Sequence, residues 1–307
     1  VSDLPTFALT EITLQRSGIF RLWGPDAAKR GMPSRAILHG DLEYVFAVPP
    51  AYREGRFDER HRLDAGDWRV LMAVTALASR RGEPLTGDKV LAGVPAGLWT
   101  QLACRGSATQ EPALVVKTTA AELLRVIGLS PGGGQKARLL ACLARLSRVR
   151  MTVRDPVPPA GQKMNEEDHL AKRRTFHARA FLLAFESVGN RLTVALSPLL
   201  AKPARADGQF LRISLADIRA VQDDRAILLL ALLSVAVKPG DVRRFKYADL
   251  AAAIYDAPGP DATPELLRQR RKRVRDGLEV VNRTAGWGVQ HGRGEAAVRR
   301  APAHEGD

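Results

Sequence analysis

The sequence predicts an α+β fold, mainly α, arranged as two winged-helix domains in tandem. Three observations predict it: amphipathic helical patterns broken by Gly-rich turns, alternating strands after the longer basic helices, and recurrence of that order in both halves. The 307 residues suffice for two ordinary domains. A hydrophobic fraction of 45% is that of a globular chain, so the formal charge of +14 does not signal disorder. A cationic excess of that size points to a polyanionic partner, nucleic acid first. Part of the Arg content is also what a GC-rich, Ala- and Arg-rich composition would give.

In chain order, residues 1–60 read as an N-terminal arm, with a short helix near 19–23 and an edge strand over 41–48 that Pro49 and Pro50 stop. The first winged-helix domain is expected over 61–200. Asp64 caps a helix at 65–81 with Trp68, Leu71, Met72 and Thr75 on one face and Gly82 closing it. Residues 83–110 are Gly- and Pro-rich, with a short helix around 98–104. A strand at 113–117 precedes Thr119 and Glu122, which have capping-box spacing and start a helix that runs to Gly128. After the turn 130–133, a helix at 135–148 buries Leu139, Leu140, Leu143 and Leu146 and exposes Lys136, Arg138 and Arg145. Strands at 150–153, 176–185 and 191–196, the last two joined at 188–190, supply a wing. The polar stretch 155–175, with Lys172, Arg173 and Arg174, interrupts it.

Residues 198–207 hold two prolines and read as a linker. The second winged-helix domain is expected over 205–300. A strand at 209–213 leads to Ser214, which with Asp217 caps a short helix. The most apolar run, AILLLALLSVAV at 226–237, is too short to cross a bilayer and reads as a buried helix bounded by Arg225 and Lys238. Arg243, Arg244 and Lys246 lead into a short helix at 247–255 and a turn at 256–262. Past the basic helix that follows, Trp287 begins a ribbon with its tip at Gly292-Arg293-Gly294 and its return at Val298-Arg299-Arg300. Residues 301–307 form a tail.

The chain is organised around 263–275, TPELLRQRRKRVR. Thr263 suits an N-cap, Pro264 the first helical position and Glu265 the positive end of the dipole. Leu267, Val274, Leu278 and Val281 recur at helical spacing as a core stripe. The opposite side carries Arg268, Gln269, Lys272 and Arg273, with Asp276 beyond. A helix anchored by its back, with guanidiniums and an amide outward, is suited to reading base edges in a DNA major groove. A solvated basic face is the plain alternative. The DNA-binding set expected from the second half is Arg268, Gln269, Arg270, Arg271, Lys272, Arg273 and Arg275, with Arg243, Arg244, Lys246, Arg293, Arg299 and Arg300 around them. From the first half it is Lys117, Gln135, Lys136, Arg138 and Arg145.

Other chemistries find little support. Pro131–Lys136 lacks the Gly-x-x-x-x-Gly-Lys-Ser/Thr spacing of a phosphate-binding loop. The six histidines are scattered without metal-ligand spacing, and Glu166-Glu167-Asp168 sits in a polar, basic stretch. Cys104 and Cys142 make neither a disulfide framework nor a zinc site. No metal, cofactor or catalytic residue is expected. The opening VSDLPTFALTEITL has no basic n-region or apolar h-region, so the expectation is a cytoplasmic protein without membrane contact.

Four stretches carry a family resemblance: PALVVKTTAAELLRVIG at 112–128, RLTVALSPLLAK at 191–202, GQFLRISLADIRAV at 208–221, and RQRRKRVRDGLEVV with GWGV over 268–289. In their order and spacing the chain resembles the replication initiators of IncQ-type plasmids (replication protein C). The resemblance implies two winged helices that bind double-stranded origin DNA at direct repeats called iterons, melt an adjacent segment and admit a replicative helicase, in a bacterial cytoplasm on plasmid DNA. It makes 264–281 the main iteron reader and 135–148 its first-domain counterpart. The short Gly-rich ribbon after Trp287 and the insertion 155–175 depart from the family pattern. Phe181, Leu183 and Phe185 on one strand face, and Leu182 and Ala184 on the other, suggest an edge covered by the second domain or a second subunit, hence a homodimer off DNA. The competing readings are a winged-helix transcriptional regulator and, for an enzyme, a relaxase or nuclease.

Overall fold

The computed structural model describes residues 4–22, 35–39, 41–47, 52–53, 56–57, 63–88, 91–95, 97–155, 176–207, 210–256, 258, 262–284 and 286–302. The basic run Lys172–Arg174, the acidic run 166–168, residues 23–34 of the expected arm and most of the tail lie outside them.

The first half contains β1 (Phe7–Thr10), α1 (Ile12–Arg16), β2 (Arg35–His39), β3 (Leu42–Ala47), the short hairpin β4 (Tyr52–Arg53) and β5 (Arg56–Phe57), α2 (Ala65–Arg81), β6 (Glu83–Leu85), α3 (Gly97–Leu102) and β7 (Arg105–Gly106). It continues with β8 (Ala113–Thr119), α4 (Ala120–Val126), α5 (Gln135–Leu146), β9 (Arg150–Arg154), β10 (Phe176–Phe181), β11 (Leu183–Val188) and β12 (Arg191–Leu196). After α6 (Pro198–Ala204), the second half holds β13 (Leu211–Ser214), α7 (Leu215–Ala220), α8 (Asp224–Ala236), β14 (Val242–Lys246), α9 (Tyr247–Ile254), α10 (Pro264–Asn282), β15 (Trp287–His291) and β16 (Glu295–Arg300). Every strand pairing between these elements is antiparallel, and the class is α+β.

One apolar core runs from Ala8 to Val298 through both halves. At its centre lies α2, buried from Ala65 to Ala78 apart from Gly66, so a helix expected to hide one face is enclosed almost all round. Some of its polar groups are matched locally: Asp64 and Asp67 form a reciprocal capping box, and Thr75 donates to the Leu71 carbonyl. Trp68 Nε1 donates to Gln15 Oε1 at 2.6 Å, and Gln15 Nε2 to Thr10 at 3.3 Å.

The sheet β11-β12-β8-β6 is buried on both faces. Leu183, Val194 and Val116 join the main core, while Ala184, Ala195 and Val115 join a small cluster with Leu98 and Leu102 of α3. Thus both apolar faces of β11 are covered within the chain, and the segment read as one strand over 176–185 turns between two sheets at Leu182. In the sheet β2-β3-β9-β10-β7, β3 is an inner strand, not an edge.

The described start of the chain is tied into the body. Phe7 pairs with Ser214 and Thr10 with Leu211, so β1 and β13 link the two halves of the fold. The short helix falls at Ile12–Arg16, capped by Glu11, rather than at 19–23; Phe20 and Leu22 form single bridges to Leu63 and Tyr255. Residues 198–207 are not a linker: Pro198 occupies the first turn of α6, where its missing N–H costs nothing, and Leu200, Ala201, Pro203 and Ala204 are buried. The Thr119–Glu122 box is half formed: Thr119 accepts from the Glu122 amide, but the Glu122 carboxylate binds Arg81 and Thr118.

Candidate nucleic-acid interface

Helix α10 begins as its sequence requires, with Thr263 Oγ1 accepting from the Leu266 amide at 3.2 Å and Pro264 in the first turn. Its inward stripe is Arg270, Val274, Gly277, Leu278 and Val281. Leu267, expected at the head of that stripe, is 41% exposed, because the core ends below the first turn. Gly277 lets α10 approach α8: a Cβ there would meet Leu229 Cδ1 at 2.9 Å.

Arg268, Gln269, Arg271, Lys272, Arg273 and Arg275 are exposed along the same helix. Glu265 steadies the first two, bonded to Arg268 Nε at 2.9 Å and Gln269 Nε2 at 3.1 Å, while Arg271 Nε reaches the Leu267 carbonyl at 3.3 Å. Arg270 is the correction within this run. It turns inward, donates to the Asp256 carbonyl and carboxylate at 2.7 Å each, and lies over the Tyr255 ring. With its donors committed and its side chain buried, it cannot reach a groove.

The adjoining sheet has the order β14-β16-β15. Phe245, Ala296, Val298 and Val289 face the core. On the other face Val242 stands opposite Arg299, and Arg244, two residues on, reaches Glu295 at 3.7 Å. Arg299 also lies across Gly288. Arg243, Lys246 and Arg293 are exposed. Arg300 is a second correction: it points inward, donates to the Ser234, Val237 and Arg212 carbonyls, and lies over Trp287. Burial lowers its pKa, against the pull of Asp217. His291 joins three elements, 2.8 Å from the Tyr247 hydroxyl and 2.9 Å from Glu279 of α10.

In the first half, Gln135 and Lys136 stand at the start of α5, half-buried, and Arg138 is exposed. Lys136 Nζ holds the β11–β12 turn through the Gly189 carbonyl and Asn190 Oδ1. Lys117 is exposed, bonded to the Ala92 carbonyl and near Glu83. Arg145 is the third correction. Its Nε lies 3.0 Å from both oxygens of the buried Asp67, and its Nη2 contacts Cys142 Sγ. Burial and the nearby Asp64 push Asp67 up to about 7, with Arg145 opposing them. Both cysteines are free, and burial pushes the Cys104 thiol up to about 11.

Sequence reasoning passed over Arg105, Arg150 and Arg179, which adjacent strands of one sheet bring together. The signal was present as two-residue alternation in RMTVR and HARAF, where the arginines fall on the face away from Met151, Val153 and the alanines.

Among the described residues no helix is long and apolar enough to cross a membrane. No curated protein sequence matches the chain. Solved structures resemble it, two of RctB among them. A crystal structure of RctB domains 2–3 aligns with a TM-score of 0.53 at 8% identity, over 95% of this chain and 97% of that one. One of selenomethionine derivatives of RctB domains 2 and 3 aligns with a TM-score of 0.48 at 8% identity, over 88% and 91%. At that identity the first speaks for a shared fold alone, and the second carries no argument. A model of the family described as Replication protein C (RepC) matches residues 17–295, through both halves and across α10. The chain belongs to the replication protein C (RepC) family, the proteins of replication initiation.

Proposed function

We propose that the chain is a plasmid replication initiator that binds duplex origin DNA at direct repeats, promotes local melting and admits the replicative helicase, with no catalytic turnover of its own. The observation that carries this is α10: Val274, Leu278 and Val281 anchor one side, and Arg268, Gln269, Lys272 and Arg273 are exposed on the other. Connectivity supports two winged helices, over 61–200 and 205–300, behind an N-terminal segment 1–60. In the second half α8, β14, α9 and α10 precede β15 and β16, with strand order β14-β16-β15. In the first, α2, β8, α4 and α5 precede β11 and β12, with strand order β8-β12-β11, while β9 and β10 leave for another sheet. With β6, α3 and β7 between α2 and β8 also set aside, the order of helices and strands is the same in both.

In this reading α10 reads the repeat, α5 contributes Gln135, Lys136 and Arg138, and Arg244 and Arg299 grip the backbone. A homodimer off DNA would need a surface other than the two covered faces of β11. The outer edge of β14, with Val242 59% exposed, is one. The test is competition between a direct-repeat duplex and its scrambled counterpart at physiological salt. The repeat should win by roughly 10³-fold or more. Equal competition overturns the reading.

A further inference from the structure

The sheet β2-β3-β9-β10-β7 has one buried face and one that the described residues cover only in part. Phe46, Met151, Val153, Ala178 and Ala180 are buried on the first. The alternating residues Arg150, Thr152, Arg154, Arg179 and Phe181 lie on the second, and none of them is buried. Register sets Arg105 opposite Arg179, Arg179 opposite Thr152, and Phe181 opposite Arg150. Three arginines and one phenylalanine therefore occupy a continuous patch over three neighbouring strands.

Arg154 is matched by Glu43 at 2.6 Å. Arg105 and Arg150 have no ion pair or side-chain hydrogen bond among the described residues, and Phe181 packs against neither apolar cluster. Like charges set opposite one another weaken a sheet, so the pairing of Arg105 with Arg179 is a cost to the sheet itself. Burial first, and then the nearby Arg150 and Arg105, lower the pKa of Arg179.

We infer that this face binds single-stranded DNA, with Arg105, Arg150 and Arg179 on neighbouring phosphates and Phe181 beneath a base. A duplex offers a flat sheet only phosphates, and Phe181 would have no partner; an unstacked strand offers both a phosphate row and a π face. The surface lies in the other half from α10 and does not depend on how that helix reads DNA.

The test uses the full chain with a labelled dT20 strand and a direct-repeat duplex, titrated with salt. Arg105→Ala with Arg150→Ala should weaken dT20 about tenfold or more and reduce its salt slope by about 1.4, roughly 0.7 for each lost phosphate contact. Phe181→Leu, which keeps an apolar side chain but removes the ring, should weaken dT20 about fivefold or more. Duplex binding should change less than about twofold in each. Arg16→Ala with Arg125→Ala, two exposed arginines elsewhere, serves as the charge control. Thermal melts establish that each variant folds, and Phe181→Leu tests the face with its charge intact. The inference fails if dT20 does not bind, if the control loses as much as the patch variants, or if duplex and single strand weaken together. Failure of repeat recognition alone, with dT20 binding intact, would overturn the preceding reading and leave this one.

Discussion

Arg270 Nη2 lies 2.7 Å from Asp256 Oδ1, and both side chains are beneath the surface. The pair joins α10 to the second residue after α9, so it fixes the angle at which the basic helix leaves the body. Removing the guanidinium breaks a buried ion pair, which costs about 3–5 kcal/mol. Arg270→Ala should therefore lower stability by about that much in denaturant titrations. In whatever fraction stays folded, the preference for repeat over scrambled duplex should persist. A stable variant with lost discrimination would mean that Arg270 reaches DNA.

Reading and holding can be separated on the exposed cations. Arg offers guanine two donors in a fixed fork, whereas Lys offers a point charge; both attract phosphate. Arg273→Lys should cost about 1–3 kcal/mol on the cognate repeat and leave scrambled DNA and the salt slope nearly unchanged. Arg299→Ala should weaken both duplexes alike and reduce the slope by about 0.9. If Arg273→Lys affects both duplexes equally, or neither, α10 grips the backbone and bases are read elsewhere.

Asp223 caps α8, accepting from the Arg225 and Ala226 amides. Its pKa is lowered, first by the hydrogen bond from the Arg225 side chain, against some burial. The folded protein thus holds the carboxylate ionised more firmly than the unfolded chain, and the stabilisation is present above the ordinary Asp range. It is lost as the pH falls through that range toward the lower folded value. Asp223→Ala should cost about 1 kcal/mol at pH 7, and the gap to the native chain should close on acidification. A gap that is constant from pH 7 to pH 3 would rule out the charged cap.

Gly277 predicts a steric limit. A Cβ would sit 2.9 Å from Leu229 Cδ1, and Leu229 is fully enclosed. Gly277→Val should destabilise the protein by about 1–3 kcal/mol, measured by thermal melting. An unchanged melting temperature would show that α8 and α10 can part at no cost.

What the sequence disclosed follows from the range of the forces involved. Helices α2, α8 and α10 were legible because Asp64, Asp223 and Thr263 cap them locally and their apolar residues repeat at short spacing. Strand β1 was not, since FALT finds its partner only at 211–214. Two prolines made 198–207 look like a linker, though Pro198 at a first turn is compatible with a helix. The orientation of the arginines was the least legible part. Arg145 binds Asp67, 78 residues away, and Arg270 binds Asp256 across a turn. Helical phase placed Arg270 only about 60° from Leu267 on the anchored side, yet the density of charge around it argued for the surface.

The pairing of β1 with β13 also has a consequence for the order of synthesis. Phe7 leaves the ribosome long before Ser214 exists, so the opening strand waits about 10–40 s at about 5–20 residues per second. During that wait Ala8 and Leu14 lack the surroundings that finally enclose them, and the edge of β1 is open to other chains. A nascent first half is therefore the form most in need of a chaperone, and a chain truncated before 211 should aggregate rather than remain as a folded half.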